Sequence, residues 1–184
     1  GKPNETNAHP HMSGKVAIVH NGIIENYREL AERLSKKGYV FESETDTEIA
    51  AQLITSFLDD GMTPEEAMTE ALKNLHGAFS LAVIFKGHDN LMIGARRGAP
   101  LAVGWGDGEM FLGSDALALA PLTLKISYLE EDDCAVLTRD GATFYDKTHT
   151  KVERPIKQTQ LSGAMLGKGN HRHYMMKEIA EQPA

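Results

Sequence analysis

The chain has 184 residues, of which 41% are hydrophobic and 24% charged, a balance typical of a folded globular domain rather than a disordered segment. Its 19 Lys and Arg against 26 Asp and Glu give a net charge of −7, which disfavours a nucleic-acid partner because an anionic surface repels phosphates. The longest strongly apolar run, 81–85, is far shorter than the roughly 20 residues that cross a bilayer, and no signal peptide opens the sequence. A single cysteine excludes an internal disulfide and a multi-thiolate zinc site. We therefore expect a cytoplasmic protein with no membrane or nucleic-acid partner.

The first half of the sequence predicts a strand followed by helices. Residues 15–20 form an apolar strand, and Asn21-Gly22 predicts a sharp turn after it, because this dipeptide readily takes left-handed backbone angles. Apolar residues at helical spacing over 24–34 then predict a helix. A short strand at 39–41 and two capping boxes, Thr45–Glu48 and Thr63–Glu66, which mark the starts of two more helices, complete this half.

The second half predicts short strands separated by Gly, Asp and Asn. Helices early and hairpins late are typical of α/β layers with much antiparallel pairing. Residues 147–172 are polar and contain several glycines, so they read as a linker before a short helix at 174–181. The predicted strands lie at 78–85, 90–95, 101–103, 110–113, 125–129, 134–138 and 143–145, and Ser114-Asp115 caps a short helix at 116–119.

The Asn21-Gly22 pair is a candidate oxyanion site. A turn between a strand and a helix can direct the Asn21 carboxamide and the Gly22 backbone N–H toward one point. Two converging donors are what the oxyanion of a tetrahedral intermediate requires. An ordinary strand-to-helix turn explains the same pattern, since Asn-Gly turns are common.

Asp46 is a candidate binding residue because it falls at the first position of a predicted helix. The helix dipole favours an ionised carboxylate there, and that carboxylate could bind the ammonium group of an amino acid. The alternative interpretation is that Asp46 binds no ligand and only stabilises the start of its helix through the helix dipole.

The histidines raise the possibility of a metal site, since neutral imidazoles bind zinc. However, no Cys pair and no helical motif of His with a carboxylate accompanies them. We therefore expect these histidines to be hydrogen-bonded within the protein or exposed to water, and not to bind a metal ion. The histidines considered are His9, His11, His20, His171 and His173.

Two further features have structural interpretations that we prefer. Cys134 follows three acidic residues within an apolar strand, and both surroundings raise a thiol pKa, so a core cysteine is favoured over a nucleophile. The segment 94–98 could be an anion-binding loop, but Arg96 and Arg97 are more simply explained by pairing with surface carboxylates.

Taken together, several motifs resemble the glutaminase domain of the glutamine–fructose-6-phosphate aminotransferase (isomerizing) family, also called glucosamine-6-phosphate synthases. The motifs are Asn7–His11, His20–Asn26 and Ser43–Glu48, followed by Ser114-Asp115 and by Arg172–Pro183, which is similar to the family's junction between glutaminase and isomerase domains. The resemblance covers essentially the whole chain.

The resemblance implies an α+β fold of the N-terminal-nucleophile hydrolase type, a four-layer αββα sandwich of a class II glutamine amidotransferase. It implies hydrolysis of L-glutamine to glutamate, with the ammonia passed to fructose 6-phosphate in a separate domain, and it implies no cofactor. Asn21 and Gly22 would form the oxyanion hole, and Asp46 together with Gly22 would bind the substrate. Residues 1–150 would be the glutaminase domain, and residues 151–184 a linker toward an absent sugar isomerase domain.

The sequence also departs from the family. The family's nucleophile is an N-terminal cysteine whose α-amino group serves as the base, whereas residue 1 is Gly1. We therefore expect a fold incomplete at its N-terminus and inactive as a fragment, with exposed sheet edges that favour a homodimer. Two alternatives stay open, namely another class II glutamine amidotransferase, of the phosphoribosylpyrophosphate or asparagine-forming type, and a non-catalytic glutamine-binding module.

Overall fold

The structure is a computed structural model, and it describes residues 2, 4–159 and 172–181. These residues form two antiparallel sheets with helices on their outer faces. The helices are α1 (Tyr27–Lys36), α2 (Asp46–Asp59), α3 (Pro64–Asn74), α4 (Ala116–Leu119) and α5 (Tyr174–Glu181), with a 3-10 turn at Glu5–Asn7. The strands are β1 (His11–Met12), β2 (Val16–Ile24), β3 (Gly77–Phe85), β4 (Met92–Arg97), β5 (Ala102–Trp105), β6 (Met110–Gly113), β7 (Lys125–Tyr128), β8 (Cys134–Thr138), β9 (Gly141–Tyr145), β10 (Lys151–Val152) and β11 (Lys157–Gln158).

The elements stack in four layers. One sheet has seven strands in the order β1-β2-β3-β4-β8-β9-β10, and the other has four in the order β11-β7-β5-β6. The apolar faces of α1, α2 and α3 pack on the larger sheet, the second sheet packs on its opposite face, and α4 covers the far side of the smaller sheet. The predicted αββα sandwich is thus the observed architecture.

The two sheets approach each other closely at Gly94. A Cβ atom on Gly94 would lie 2.8 Å from a methyl group of Leu112 and 3.1 Å from one of Leu101. Both leucines come from or adjoin the smaller sheet, so a larger residue at 94 would require these two side chains to move. The glycine therefore has a packing role between the sheets, in a segment that the sequence also offered as an anion loop.

Local prediction fails at residues 39–41, which form no strand. The Tyr39 N–H instead closes the C-terminus of α1 by donating to the Leu34 carbonyl at 3.1 Å. Tyr39 and Phe41 still pack on the core, but their backbone meets no strand edge. The aromatic residues at positions 39 and 41 thus reflect burial rather than strand pairing, whereas Val40 is exposed.

The predicted boundary at residue 150 also needs correction. β10 pairs with β9, and β11 pairs with β7, so residues 151–158 add one short strand to each sheet. The linker predicted for 151–184 accordingly begins no earlier than the end of β11. Residues 160–171 and 182–184 lie outside the described residues, as does Gly1.

No helix within residues 2, 4–159 and 172–181 has the length and apolar character that a membrane span requires.

Candidate functional site

The strand β2 continues through Asn21 and Gly22, so the predicted turn at this pair is wrong. β2 pairs with β3 over nine residues, from Val16 opposite Phe85 to Ile24 opposite Gly77. This long ladder outweighs the turn preference of Asn-Gly, and the helix α1 starts only at Tyr27.

Gly22 nonetheless has an unusual backbone. Its φ is +116°, and a Cβ atom at this position would lie 2.1 Å from the Ala78 carbonyl oxygen. Only glycine fits such a conformation and such a close approach. The glycine thus lets β2 depart from ordinary extended geometry without leaving the sheet.

The hydrogen bonds that flank β2 show which way its backbone groups point. On the β3 side, the Lys15 carbonyl accepts from Lys86 N–H and the Glu25 N–H donates to the His76 carbonyl. Backbone direction alternates along a strand, so the odd-numbered residues bond to β3 and the even-numbered residues face the other edge. On that other edge β1 pairs only with residues 17 and 18 of β2. The Gly22 N–H therefore faces an edge where no described strand pairs with it.

Asn21 is exposed and lines a cavity of about 280 Å³ between the two sheets. Polar side chains from both sheets, including Ser80 and Ser114, share its wall with His9 and His20. A larger cavity of about 820 Å³ lies on the other side of β2, near Lys15 and α2, and contains none of the predicted site residues. The geometry brings the Asn21 carboxamide to a small, partly polar space.

The first turn of α2 places Asp46 beside the end of β2. Asp46 is the first residue of α2, and Thr45 caps the helix by accepting from the Glu48 N–H at 3.3 Å. One carboxylate oxygen, Oδ2, accepts the Ile24 N–H at 2.8 Å. The other, Oδ1, lies 3.8 Å from Nδ1 of His20, and the side chain is 23% exposed. Asp46 thus meets the same edge of β2 as Gly22, two residues along, with one oxygen left accessible.

A shared hydroxyl group lies next to Asp46. The buried Thr47 Oγ1 is 3.0 Å from Nδ1 of His20 and 3.2 Å from Nε2 of His9. Burial lowers the pKa of His20 below its ordinary value, against the opposing pull of Asp46. Burial and the neighbouring His11 likewise lower the pKa of His9. Both rings are therefore neutral near pH 7.

A buried carboxylate fixes the loop that leads into α2. The capping box predicted at 45–48 forms only in half, because Glu48 does not reach back to the Thr45 N–H. Its oxygens instead accept the Glu42 N–H at 2.8 Å and both the N–H and the hydroxyl of Ser43 at 2.6 Å. The Thr45 hydroxyl in turn lies 3.0 Å from Nε2 of His11. The start of the helix that carries Asp46 is thus rigidly held.

The histidines near the chain start cluster without forming a metal centre. The ring of His9 lies 5.5 Å from that of His11 and 6.5 Å from that of His20, centroid to centroid. Within the part of the chain that the structure describes, no group of three or more His, Cys, Asp or Glu residues is arranged to hold a metal ion. His171 lies outside the described residues, and His173 is exposed.

Cys134 is a core residue, as the sequence predicts. It is 6% exposed in β8, and burial, with Asp133 and Glu65 nearby, raises its pKa to about 12. A thiol with that pKa is almost entirely protonated at pH 7, so it is a poor nucleophile.

The two arginines of segment 94–98 bind protein groups. Arg97 pairs with Asp132 at 2.5 Å and donates to the Leu75 carbonyl, while Arg96 donates to the Leu129 carbonyl at 2.6 Å. For Arg97, the predicted pairing with an acidic residue is therefore the observed arrangement.

Sequence reasoning missed the Ile24 N–H, Thr47 and Glu48 as parts of this site. A backbone donor carries no sequence signal, and nothing in the sequence distinguishes Thr47 from any other residue in the first turn of a helix. Glu48 was recognised, but as a reciprocal cap. Only the fold shows that Thr47 and Glu48 reach histidines and a loop, and that Thr45 contacts His11 in addition to capping its own helix.

Comparison with known proteins identifies the family. The glutamine amidotransferase domain family matches residues 3–121. The chain belongs to this family. It is also 56% identical over 183 residues to the glutamine–fructose-6-phosphate aminotransferase (isomerizing) of Brucella suis, and 58% identical to that of Mesorhizobium japonicum. Both alignments cover 100% of this chain, which spans about 30% of the length of these curated relatives.

Solved structures share the fold of this glutamine amidotransferase domain. Glutamine phosphoribosylpyrophosphate amidotransferase from Bacillus subtilis superposes with a TM-score of 0.66 at 22% identity, covering 80% of this chain and 33% of that one. A glutamine aminotransferase class-II domain protein from Silicibacter pomeroyi gives 0.62 at 17% identity, covering 80% and 74%. At these identities the likeness supports the sandwich fold alone.

Proposed function

We propose that this domain hydrolyses L-glutamine to glutamate and ammonia within a glutamine–fructose-6-phosphate aminotransferase. In this reaction the amide C–N bond breaks, water supplies the new C–O bond, and ammonia leaves. Asn21 and Gly22 stabilise the oxyanion, and Asp46 binds the α-ammonium group of glutamine. The identity of 56–58% to relatives of that name supports this choice within the glutamine amidotransferase family.

The proposal rests on one observation: hydrogen-bond donors and a carboxylate lie at the same end of β2. The Gly22 N–H faces an edge of β2 with no strand partner among the described residues, and Asn21 is exposed beside a cavity. Two residues further along, the Ile24 N–H anchors the Asp46 carboxylate. Two residues of a strand span roughly 7 Å, so the Gly22 N–H and the Asp46 carboxylate are spaced to hold the amide carbonyl and the ammonium group of one small molecule.

The attacking group is not among these residues. The family resemblance implies an N-terminal cysteine that residues 1–184 do not contain, and Cys134 is too buried and too weakly acidic to replace it. We therefore propose that the 184-residue polypeptide by itself releases no ammonia. In the proposed reaction, Asn21, Gly22 and Asp46 serve an N-terminal cysteine of the kind that the family resemblance implies.

The acceptor of the ammonia belongs to the rest of the enzyme. We propose fructose 6-phosphate, converted to glucosamine 6-phosphate in a separate domain. We further propose a homodimer in the cytoplasm.

The test of the function requires a polypeptide that contains residues 1–184 and begins with a cysteine. This polypeptide is called the active form. We expect it to convert L-glutamine to glutamate, measured by coupled detection of glutamate, and to leave L-asparagine intact. In the complete enzyme with fructose 6-phosphate, glucosamine 6-phosphate should form. Failure to hydrolyse glutamine despite a folded domain and a free N-terminal cysteine would refute the proposal.

A further inference from the structure

His20 occupies an unexplained position between the two halves of the site. It precedes Asn21 on β2, and its side chain is only 2% exposed. Its Nδ1 faces both the Thr47 hydroxyl at 3.0 Å and Asp46 Oδ1 at 3.8 Å. Its Nε2 is buried with no hydrogen-bond partner among the described residues. A buried polar atom without a partner is costly, so this ring needs an explanation.

The proton count of one hydroxyl limits the state of the ring. Thr47 Oγ1 contacts His20 Nδ1 and His9 Nε2, and its single O–H can donate to only one of them. If Thr47 donates to His20, then Nδ1 carries no proton, and its lone pair faces the Asp46 carboxylate and is repelled by it. That state also requires an N–H at Nε2, leaving a buried donor unpaired.

The opposite arrangement removes both problems. If His20 donates its Nδ1–H to Thr47, and Thr47 donates to His9, the carboxylate of Asp46 faces a positive hydrogen. The atom left without a partner is then an acceptor, and under-satisfied acceptors are tolerated better than orphaned N–H groups. The contacts therefore favour the Nδ1–H tautomer of His20.

We propose that His20 is a positioning residue for the ammonium site: Thr47 holds its ring as the neutral Nδ1–H tautomer beside Asp46. The Asp46 carboxylate is then fixed at Oδ2 by the Ile24 N–H, while Oδ1 faces a weak dipole instead of a competing cation. Oδ1 remains free to bind an ammonium group at full charge. This role rests on the proposed function, because it assumes that Asp46 binds the α-ammonium of glutamine.

The first test is spectroscopic and needs no ligand. Long-range ¹H–¹⁵N spectra of the imidazole rings in the 184-residue protein distinguish a protonated from an unprotonated ring nitrogen. We expect Nδ1 of His20 to carry the proton and Nε2 to be bare. In Thr47→Val, which keeps the shape of the side chain but not its hydroxyl, the ring should become a mixture of tautomers. A clean Nε2–H signal in the unmutated protein would overturn the proposal.

The second test uses two ligands that differ only in the α-amino group. Binding of L-glutamine and of glutaramate, its analogue without that group, is measured by calorimetry or by chemical-shift titration. His20→Leu should weaken L-glutamine binding roughly fivefold, the factor associated with one ordinary hydrogen bond. Its effect on glutaramate should be negligible. His20→Asn, whose carboxamide can replace the Nδ1–H, should restore L-glutamine binding, and the exposed His88→Asn serves as the control.

The outcomes separate this inference from the proposed function. Equal losses for both ligands in His20→Leu, or no rescue by His20→Asn, would show a merely structural ring and overturn the inference, while glutamine binding would stand. An unmutated protein that does not prefer L-glutamine over glutaramate would instead show that Asp46 is not an ammonium site. Both the function and the role of His20 would then fail, whatever the tautomer.

Discussion

Replacing Asp46 by Asn tests the ammonium site with little disturbance of the fold. The carboxamide oxygen of Asn can still accept the Ile24 N–H that Oδ2 accepts at 2.8 Å, so the link between β2 and α2 survives. The loss of a negative charge at the start of α2 costs only about 0.3–1 kcal/mol of stability. What disappears is the charge that Oδ1 offers to a ligand.

The expected loss of affinity follows from the exposure of this carboxylate. At about 4 Å and an effective dielectric constant near 20, two unit charges attract by about 4 kcal/mol before desolvation. Asp46 is 23% exposed, so the net value should be nearer that of a charge-assisted hydrogen bond, about 1.5–3 kcal/mol. Binding of L-glutamine should therefore weaken roughly 10- to 150-fold.

The assay is calorimetry with L-glutamine and with glutaramate. Asp46→Asn should bind the two ligands about equally, because the difference between them is the charge that Asp46 recognises. Asp60→Asn removes the same charge from the exposed far end of α2 and should change neither affinity. A variant Asp46→Asn that loses both ligands in the same proportion, or neither of them, would contradict the reasoning.

Three further predictions concern the fold and the remaining titratable groups. Gly22→Ala should destabilise the protein by roughly 1–3 kcal/mol from backbone strain alone, with the clash at the Ala78 carbonyl adding to it, and urea unfolding that matches the unmutated protein would count against this. Cys134, with its pKa raised to about 12, should resist a thiol reagent at pH 8 until the protein unfolds, and ammonia release that depends on Cys134 would show that the nucleophile is misassigned. Burial and the hydrogen bond to Asp59 raise the pKa of Tyr39 from 10 to about 12, so its stabilising effect is complete below pH 10 and is lost as the pH rises toward 12. Unfolding measured across this range should show that dependence in the unmutated protein and much less of it in Tyr39→Phe.

The sequence predicts the helices well because their starts carry local signals. Thr63 and Glu66 form the full predicted capping box, and Asp115 caps α4 through the Ala118 N–H. Such caps are decided within four residues, so neighbouring elements hardly alter them.

The errors occur where partners distant in sequence decide the outcome. Asn21-Gly22 has a turn's composition, yet β3, almost 60 residues further on, supplies a ladder that carries the strand past it. The segment 39–41 has the composition of a strand, but its backbone pairs with no edge of either sheet. The positions of Asp46 and of the oxyanion donors rested on family resemblance, and local pattern alone favoured ordinary structural roles for both.

The site's supporting contacts could not be predicted, since they join residues 20 to 40 positions apart. Thr47 meets His9 and His20 only because α2 packs across β2. The anchoring of Asp46 by a backbone N–H is likewise invisible in a list of side chains.

The most direct test of the account is the turnover of Asn21→Ala in the active form. If the Asn21 carboxamide stabilises the oxyanion, kcat for glutamine hydrolysis should fall about 10²- to 10³-fold, the usual loss for one such donor. KM should stay within about threefold, because the interaction develops in the transition state and not in the bound substrate. An Asn21→Ala enzyme with unchanged kcat, or one that loses only substrate affinity, would contradict the central claim.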